Sequence, residues 1–244
     1  MTENQTLEKM RMLKLFGMAR TFENIIKLGG KNDYTLDEFI AELIDDEYVD
    51  RQNRRLARLI KQSNLRYNCT IEEIDFTTPR DIEKKLILEL SKDKWINENK
   101  NIIITGSTGS GKSFIACAIG NQACINGKKT IYYRTSKLFS VLKMAQADET
   151  YFKEIEKLNK YDVLILDDFG IDNLDKTNRL SLLEIFESRY KLKSTIIISQ
   201  YPVKEWYNII GDATISDAIL DRVVHNSYRL ELNAKDSFRK RYKN

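Results

Sequence analysis

Five residues within one octapeptide have the types and spacing to hold a chain of phosphates. Residues 106–113 read GSTGSGKS, and Gly106, Gly111, Lys112 and Ser113 fit G-x-x-x-x-G-K-[ST] directly after an apolar run. Gly106, Gly109 and Gly111 let the backbone turn tightly enough for successive N–H groups to face phosphate oxygens. Ser107, Thr108 and Ser110 complete the loop, and Phe114 follows it. Lys112 adds a mobile positive charge for the β- and γ-phosphates, and the Ser113 hydroxyl suits Mg²⁺. A helix beginning near Lys112 aims its positive end at the same anions. The pattern predicts a nucleotide site and leaves kinase, switch and motor open.

A second group of residues bears on that choice. YDVLILDDFG, residues 161–170, ends in two carboxylates. Asp167 at a strand end suits Mg²⁺ held through water, the Walker B role, and Asp168 beside it suits orientation of an attacking water. A kinase that hands its phosphoryl group to a bound metabolite has less use for the second acid. TIIISQ ends in Ser199 and Gln200, polar groups able to reach the γ-phosphate from a strand between the P-loop and Walker B strands. Arg222, in SDAILDRVVHN, lacks an obvious partner of its own and suits insertion into a neighbouring subunit's site, in trans. An ordinary surface ion pair is the alternative. His225 reads as a helix-end residue and Trp206 as core.

The elements that must position these residues are legible as alternating patterns. Apolar runs at 101–105, 130–135, 162–167, 195–199 and 228–232 read as strands, with helical patterns between them. Such alternation predicts an α/β fold with a parallel sheet and helices on both faces. Residues 1 to about 65 read as helix instead, with one run ending at Gly29-Gly30 and a second opened by a capping box from Thr35 to Glu38. In the connector, Thr78, Pro79 and Asp81 read as the start of a helix running to about Lys92.

The second N-terminal helix changes character along its length. Arg51, Arg54, Arg55 and Arg58 fall at i, i+3, i+4 and i+7, Lys61 and Arg66 follow, and no acid interrupts residues 51–66. Ile40 and Ile44 project along nearly the same line. The stripe suits an acidic partner such as nucleic acid, or a solvated helix face.

Bulk composition narrows the classes. The chain has 244 residues, 42% hydrophobic and 31% charged, with a net charge of +4 that is too mild to establish a nucleic-acid partner. Its start, MTENQTLEKM, lacks the apolar stretch of a signal peptide, and no run approaches a membrane span. Cys69, Cys117 and Cys124 lack metal or disulfide spacing. These features predict a reduced, cytoplasmic protein without a membrane partner.

The order GSTGSGKS, YDVLILDDFG, TIIISQYPVKEW, SDAILDRVVHNSYRLEL resembles the IstB-like ATP-binding proteins, helper ATPases of insertion-sequence transposition. That family is related to the DnaC-type helicase loaders within the AAA+ class. The resemblance extends through FIAELIDDEYVDRQNRRLARLIKQSN and Ile74–Phe76, so it covers almost the whole chain. SQYPVKEW and AILDRVVHN favour the transposition helpers over the loaders.

The resemblance implies a P-loop NTPase of the AAA+ type: a small helical N-terminal domain (1–66), a connector (67–100) and a five-stranded ATPase core (101–244). It implies that Lys112 and Ser113 bind ATP and Mg²⁺ and that Asp167 and Asp168 form Walker B. Ser199 or Gln200 takes the sensor-1 position, and Arg222 the arginine finger. It further implies a homo-oligomer on duplex DNA that serves a cognate transposase, with Arg51, Arg54, Arg55 and Arg58, and Lys61 beside them, on DNA phosphates. Two departures stand out. Many relatives carry Glu where this chain has Asp168, and only twelve residues follow Leu232, too few for a helical lid with a sensor-2 arginine.

Overall fold

The computed structural model describes residues 3–27, 35–77, 81–172 and 174–233. The chain divides into two compact units, residues 1–58 and 59–244.

The first unit holds α1 (Glu3–Met12), α2 (Phe16–Lys27) and most of α3 (Leu36–Ser63). The single run expected before Gly29-Gly30 is two helices. Lys14, at φ 60°, ends α1, with Leu15 N–H donating to Met10 O (2.8 Å) and Lys14 N–H to Arg11 O (3.0 Å). This is a Schellman-type stop without its usual glycine, so the sequence carries no signal for it. Gly29 and Gly30 lie outside the described residues. The Thr35 box does form: Thr35 N–H donates to Glu38 Oε2 at 2.8 Å, and Glu38 N–H donates to Thr35 Oγ1 at 3.3 Å.

The second unit takes in the last turn of α3, then α4 (Lys84–Leu90) and α5 (Lys94–Asn97). The connector helix starts later than Thr78-Pro79-Asp81 suggested, and Thr78 and Pro79 lie outside the described residues. Asp81 sits in a left-handed conformation (φ 56°) and accepts from Asn233 Nδ2 at 2.9 Å, so its carboxylate ties the chain to the end of the last strand. The core then alternates as expected: β1 (Asn101–Gly106), α6 (Lys112–Ile125), β2 (Thr130–Arg134), α7 (Thr135–Ala147), α8 (Tyr151–Asn159), β3 (Val163–Phe169), α9 (Lys176–Arg189), β4 (Ser194–Ser199), α10 (Trp206–Ile210), α11 (Ala213–Val224) and β5 (Ser227–Leu232).

All strand pairs are parallel, in the order β2-β3-β4-β1-β5. Side chains alternate across the sheet. Ile102, Ile104, Ile165, Ile196 and Ile198 join one apolar layer with α6, and Ile103, Leu164, Leu166 and Ile197 join another with α7, α9 and α11. Burial on both faces explains why these strands read as continuous apolar runs. Trp206 is fully buried and His225 caps α11, as the sequence suggests. Among the described residues, no helix is long and apolar enough to cross a membrane.

Candidate nucleotide site

Parallel pairing brings the strand ends with chemistry to one edge of the sheet. Thr105 of β1 pairs with Ser199 of β4, and β4 lies between β1 and β3, which carries Asp167. Ligands of open α/β sheets gather outside this carboxyl edge. Gly106, Gly109 and Gly111 have φ of 146°, 83° and 93°. At Gly106 a Cβ would collide with Leu232 O, so β5 can approach the loop only where a side chain is absent. Lys112 Nζ donates to Gly106 O and Ser107 O, both at 2.8 Å, which draws the ammonium over the loop. Ser107 and Thr108 are exposed and Ser110 is buried.

The two carboxylates owe their aim to a bulge. Leu166 pairs with Ile197 and Phe169 with Ser199, so β3 carries one extra residue, and Asp168 adopts φ 63°. Asp is among the residues that tolerate this conformation, and bulges re-aim side chains beside functional sites. Asp167 is buried; its Oδ1 accepts from Asp168 N–H (2.8 Å) and its Oδ2 from the Tyr132 hydroxyl (2.6 Å). Burial and the neighbouring Asp167 push the Tyr132 phenol well above its ordinary range, so it stays a donor. Arg66 Nη1 lies 3.7 Å from Asp167 Oδ2. Asp168 Oδ2 accepts from Arg134 Nε at 3.0 Å.

A cavity of about 790 Å³ joins these groups. Thr108, Gly109, Gly111, Lys112, Ser113 and Phe114 line one side, Asp167, Asp168 and Gln200 another. The remaining wall is the stretch after α3: Arg66, Tyr67, Asn68, Cys69, Glu73 and Asp75. Sequence reasoning missed that wall, placing Arg66 in the basic stripe of α3 instead. Its only signal was the connector resemblance at Ile74–Phe76. Tyr67 packs against Phe114 with ring centroids 6.2 Å apart. Burial pushes the Cys69 thiol up to about 12, so it remains a neutral wall residue at neutral pH. A volume of this order suits a nucleotide-sized ligand.

Ser199 and Gln200 separate in role. Ser199 is fully buried, its hydroxyl donating to Phe169 O (2.8 Å) and accepting from Tyr201 N–H (3.1 Å). Gln200 reaches the cavity, with Oε1 accepting from Thr108 Oγ1 at 2.7 Å.

Arg222 has partners on its own chain, which corrects the expectation of none. It forms an ion pair with Glu187 on α9, Nη1 donates to Ala218 O (2.7 Å), and the guanidinium lies 5.9 Å from the Tyr190 ring. Its Nε is buried without a hydrogen-bond partner among the described residues. With Asn101, Thr195 and Asn226 it lines a small cavity at the opposite edge of the sheet from the phosphate loop.

The basic stripe also differs from a uniform face. Arg51 pairs with Glu47 (2.7 Å), and Arg54 with Asp50 (2.6 Å) and Glu47 (3.4 Å). No acid lies within residues 51–66, but acids one turn upstream reach forward at i+4. Arg55, Arg58 and Lys61 are exposed, without an ion-pair partner among the described residues.

With this geometry in place, comparison with known proteins identifies its kind. The family model for the IstB-like ATP binding protein matches residues 8–244. The insertion sequence ATP-binding protein y4pL of Sinorhizobium fredii is 37% identical over 235 residues, 96% of each chain. The IS1162 ATP-binding protein of Pseudomonas fluorescens is 38% identical over 203 residues, 83% of this chain and 88% of its own. Among solved structures, the DnaC helicase loader superposes with a TM-score of 0.56 at 22% identity, covering 68% of this chain and 97% of its own. AMPPCP-bound DnaA from Aquifex aeolicus gives 0.56 at 21% identity, covering 72% of this chain and 53% of its own. Those two share the fold, a five-stranded parallel sheet with flanking helices, and a P-loop at its carboxyl edge completes the ATP-binding architecture. The chain belongs to the IstB-like ATP binding protein family.

Proposed function

We propose that this chain hydrolyses ATP with Mg²⁺, assembles as a homo-oligomer on duplex DNA, and delivers that DNA as a target to a partner transposase. The observation that carries the ATPase reading is the meeting of the phosphate loop and the Asp167–Asp168 pair in one cavity. The association of the relatives with insertion sequences, in their names, supports transposition as the setting.

Each residue has a task in this reading. Lys112 and the loop N–H groups from Gly106 to Ser113 bind the phosphates. Ser113 and Asp167 would hold Mg²⁺, Asp167 through water. The donor set fits that ion: Ser113 and the Asp167 carboxylate line one cavity with the phosphate loop, and Mg²⁺ usually takes one or two carboxylates plus phosphates. The ion supplies neutralising charge for the phosphates. Asp168 orients the attacking water, and Gln200 rather than Ser199 reports on the γ-phosphate, because the Ser199 hydroxyl is already spanned by two backbone groups.

Arg222 completes the site of a neighbouring subunit. Its place at the edge opposite the phosphate loop supports action in trans, and leaving Glu187 is part of that step. Duplex DNA lies along Arg55, Arg58 and Lys61, the stripe residues whose charge is not already paired on α3.

The experiment is subunit mixing. Asp168→Asn should bind ATP normally and hydrolyse it slowly. Arg222→Ala should also bind normally, with hydrolysis lowered by roughly 10³, the scale of an arginine finger. Lys112→Ala should not bind. Mixed on DNA, the Arg222→Ala and Lys112→Ala chains should recover activity that neither shows alone. Co-assembled mixtures without recovery would return Arg222 to a structural role.

A further inference from the structure

We propose that Arg66 is a phosphate-binding residue of the nucleotide site, delivered in cis by the segment after α3 and held by Asp167 until a metal takes that carboxylate. The inference rests on the nucleotide-site reading above and adds to it a cation that the P-loop motif does not supply.

Three observations carry it. Arg66 lines the same cavity as Lys112, Ser113 and Asp167, so its guanidinium is already among the groups that would meet the phosphates. Its approach to Asp167 is a loose one. At 3.7 Å from Oδ2 it is beyond hydrogen-bond distance, while Tyr132 (2.6 Å) and Asp168 N–H (2.8 Å) already donate to the two oxygens. Arg66, which also meets the Tyr132 side chain, therefore serves Asp167 as countercharge, while Tyr132 and the Asp168 N–H keep the carboxylate aimed. Finally, the guanidinium lies 5.3 Å from the Tyr67 ring centroid, a platform that does not depend on Asp167. The side chain is 32% exposed, so it has room to move.

Electrostatics gives the direction of that movement. A buried carboxylate such as Asp167 requires a nearby positive charge. A divalent cation held through water near Asp167 would satisfy the requirement and disfavour a second cation at that carboxylate. Arg66 then turns to the other anions in its reach, the nucleotide phosphates. Its planar fork of donors suits a phosphate better than an ammonium would.

The test is equilibrium binding of fluorescent ATP and ADP analogues to the full chain, with and without Mg²⁺, for wild type, Arg66→Ala, Arg66→Lys and Lys112→Ala. Arg66→Ala should weaken binding of the Mg²⁺–ATP analogue by about tenfold or more, the scale of one charge-assisted pair. The loss should be smaller for the ADP analogue and smaller again without Mg²⁺, when Arg66 remains on Asp167. Arg66→Lys, which keeps the charge and loses the fork, should fall between wild type and Arg66→Ala, and it serves as the reporter if Arg66→Ala does not fold. A purely structural counter-ion would instead lower thermal stability and leave both affinities equal to wild type, which overturns the proposal. Equal losses for both nucleotides regardless of Mg²⁺ would also overturn it. Failure of wild type itself to bind, indistinguishable from Lys112→Ala, would overturn the nucleotide-site reading along with it.

Discussion

The two compact units stabilise themselves by different means. In residues 59–244 the sheet is covered on both faces by apolar layers, with Ile102, Leu164, Ile165 and Ile196 fully buried. Among the described residues of 1–58 few apolar side chains are buried, Ala19 and Leu43 being two, and polar ties join the helices. A Cβ on Gly17 would collide with Asp46 O, so α2 meets the α3 backbone there without a side chain between them. Glu47, itself buried, accepts from Gly17 N–H (2.9 Å) and Met18 N–H (3.4 Å) and pairs with Arg51 and Arg54. Thr21 bonds Asp46 in the same seam. Meanwhile Leu36, Ile40, Ile44 and Tyr48 remain exposed along α3. Polar ties select one geometry but each contributes little net stability, whereas apolar layers contribute most of it. This contrast predicts that the core is the more stable unit and the helical unit the more easily unfolded one.

The comparison can be broken with two probes. Both tryptophans, Trp95 and Trp206, are buried in the core, so their fluorescence reports on that unit, while helical circular dichroism reports on both. Leu164→Ala should have the largest effect, destabilising the core by about 2–5 kcal/mol and shifting the tryptophan transition in denaturant. Unshifted tryptophan signals would mean that the sheet layers do not govern core stability.

Glu47→Ala should come next, costing the helical unit about 1–3 kcal/mol because the Gly17 N–H loses its buried acceptor. The early dichroism loss should move to lower denaturant while the tryptophan transition and ATP-analogue binding stay in place. Movement of all three together would show that the units unfold as one. Acid should mimic this variant. Burial pushes the Glu47 carboxyl up, but the Arg51 pair and the Met18 and Gly17 N–H groups outweigh it and hold it below its ordinary 4.5. A folded value below the unfolded one contributes stability that is complete above about 4.5 and lost as pH falls through the folded value. Dichroism of the helical unit should thus weaken in that acidic window in wild type, and much less so in Glu47→Ala.

The smallest stability effect is expected for Arg55→Ala with Arg58→Ala, within about 0.5 kcal/mol, because both are exposed and unpaired among the described residues. Their effect should fall on DNA instead: the slope of log K against log salt should flatten by roughly 0.9 for each phosphate that the chain no longer neutralises. An unchanged slope would move DNA binding off this helix.

Much of the core was legible in the chain itself. The phosphate loop is local: its glycines and Lys112 lie within one octapeptide, and positive φ at Gly106, Gly109 and Gly111 follows from residue type. The strands declared themselves because both faces are buried, which leaves a continuous apolar run rather than an alternation. The Thr35–Glu38 box spans four residues and needed nothing from elsewhere.

What the sequence determined was therefore short in range: strand and helix alternation, the phosphate loop, the adjacent acids and the family. Tertiary structure decided whatever depended on residues far apart in the chain. It carried Arg66 to Asp167, set Tyr132 on the same carboxylate, and turned Asp168 toward Arg134 through a one-residue bulge against β4. It also returned Arg222 to Glu187, a partner thirty-five positions earlier that no helical spacing connects to it. The physical reason is common to these cases. Hydrogen bonds within a turn follow from residue type and spacing, but the partner of a charged side chain is chosen by the packing of distant elements.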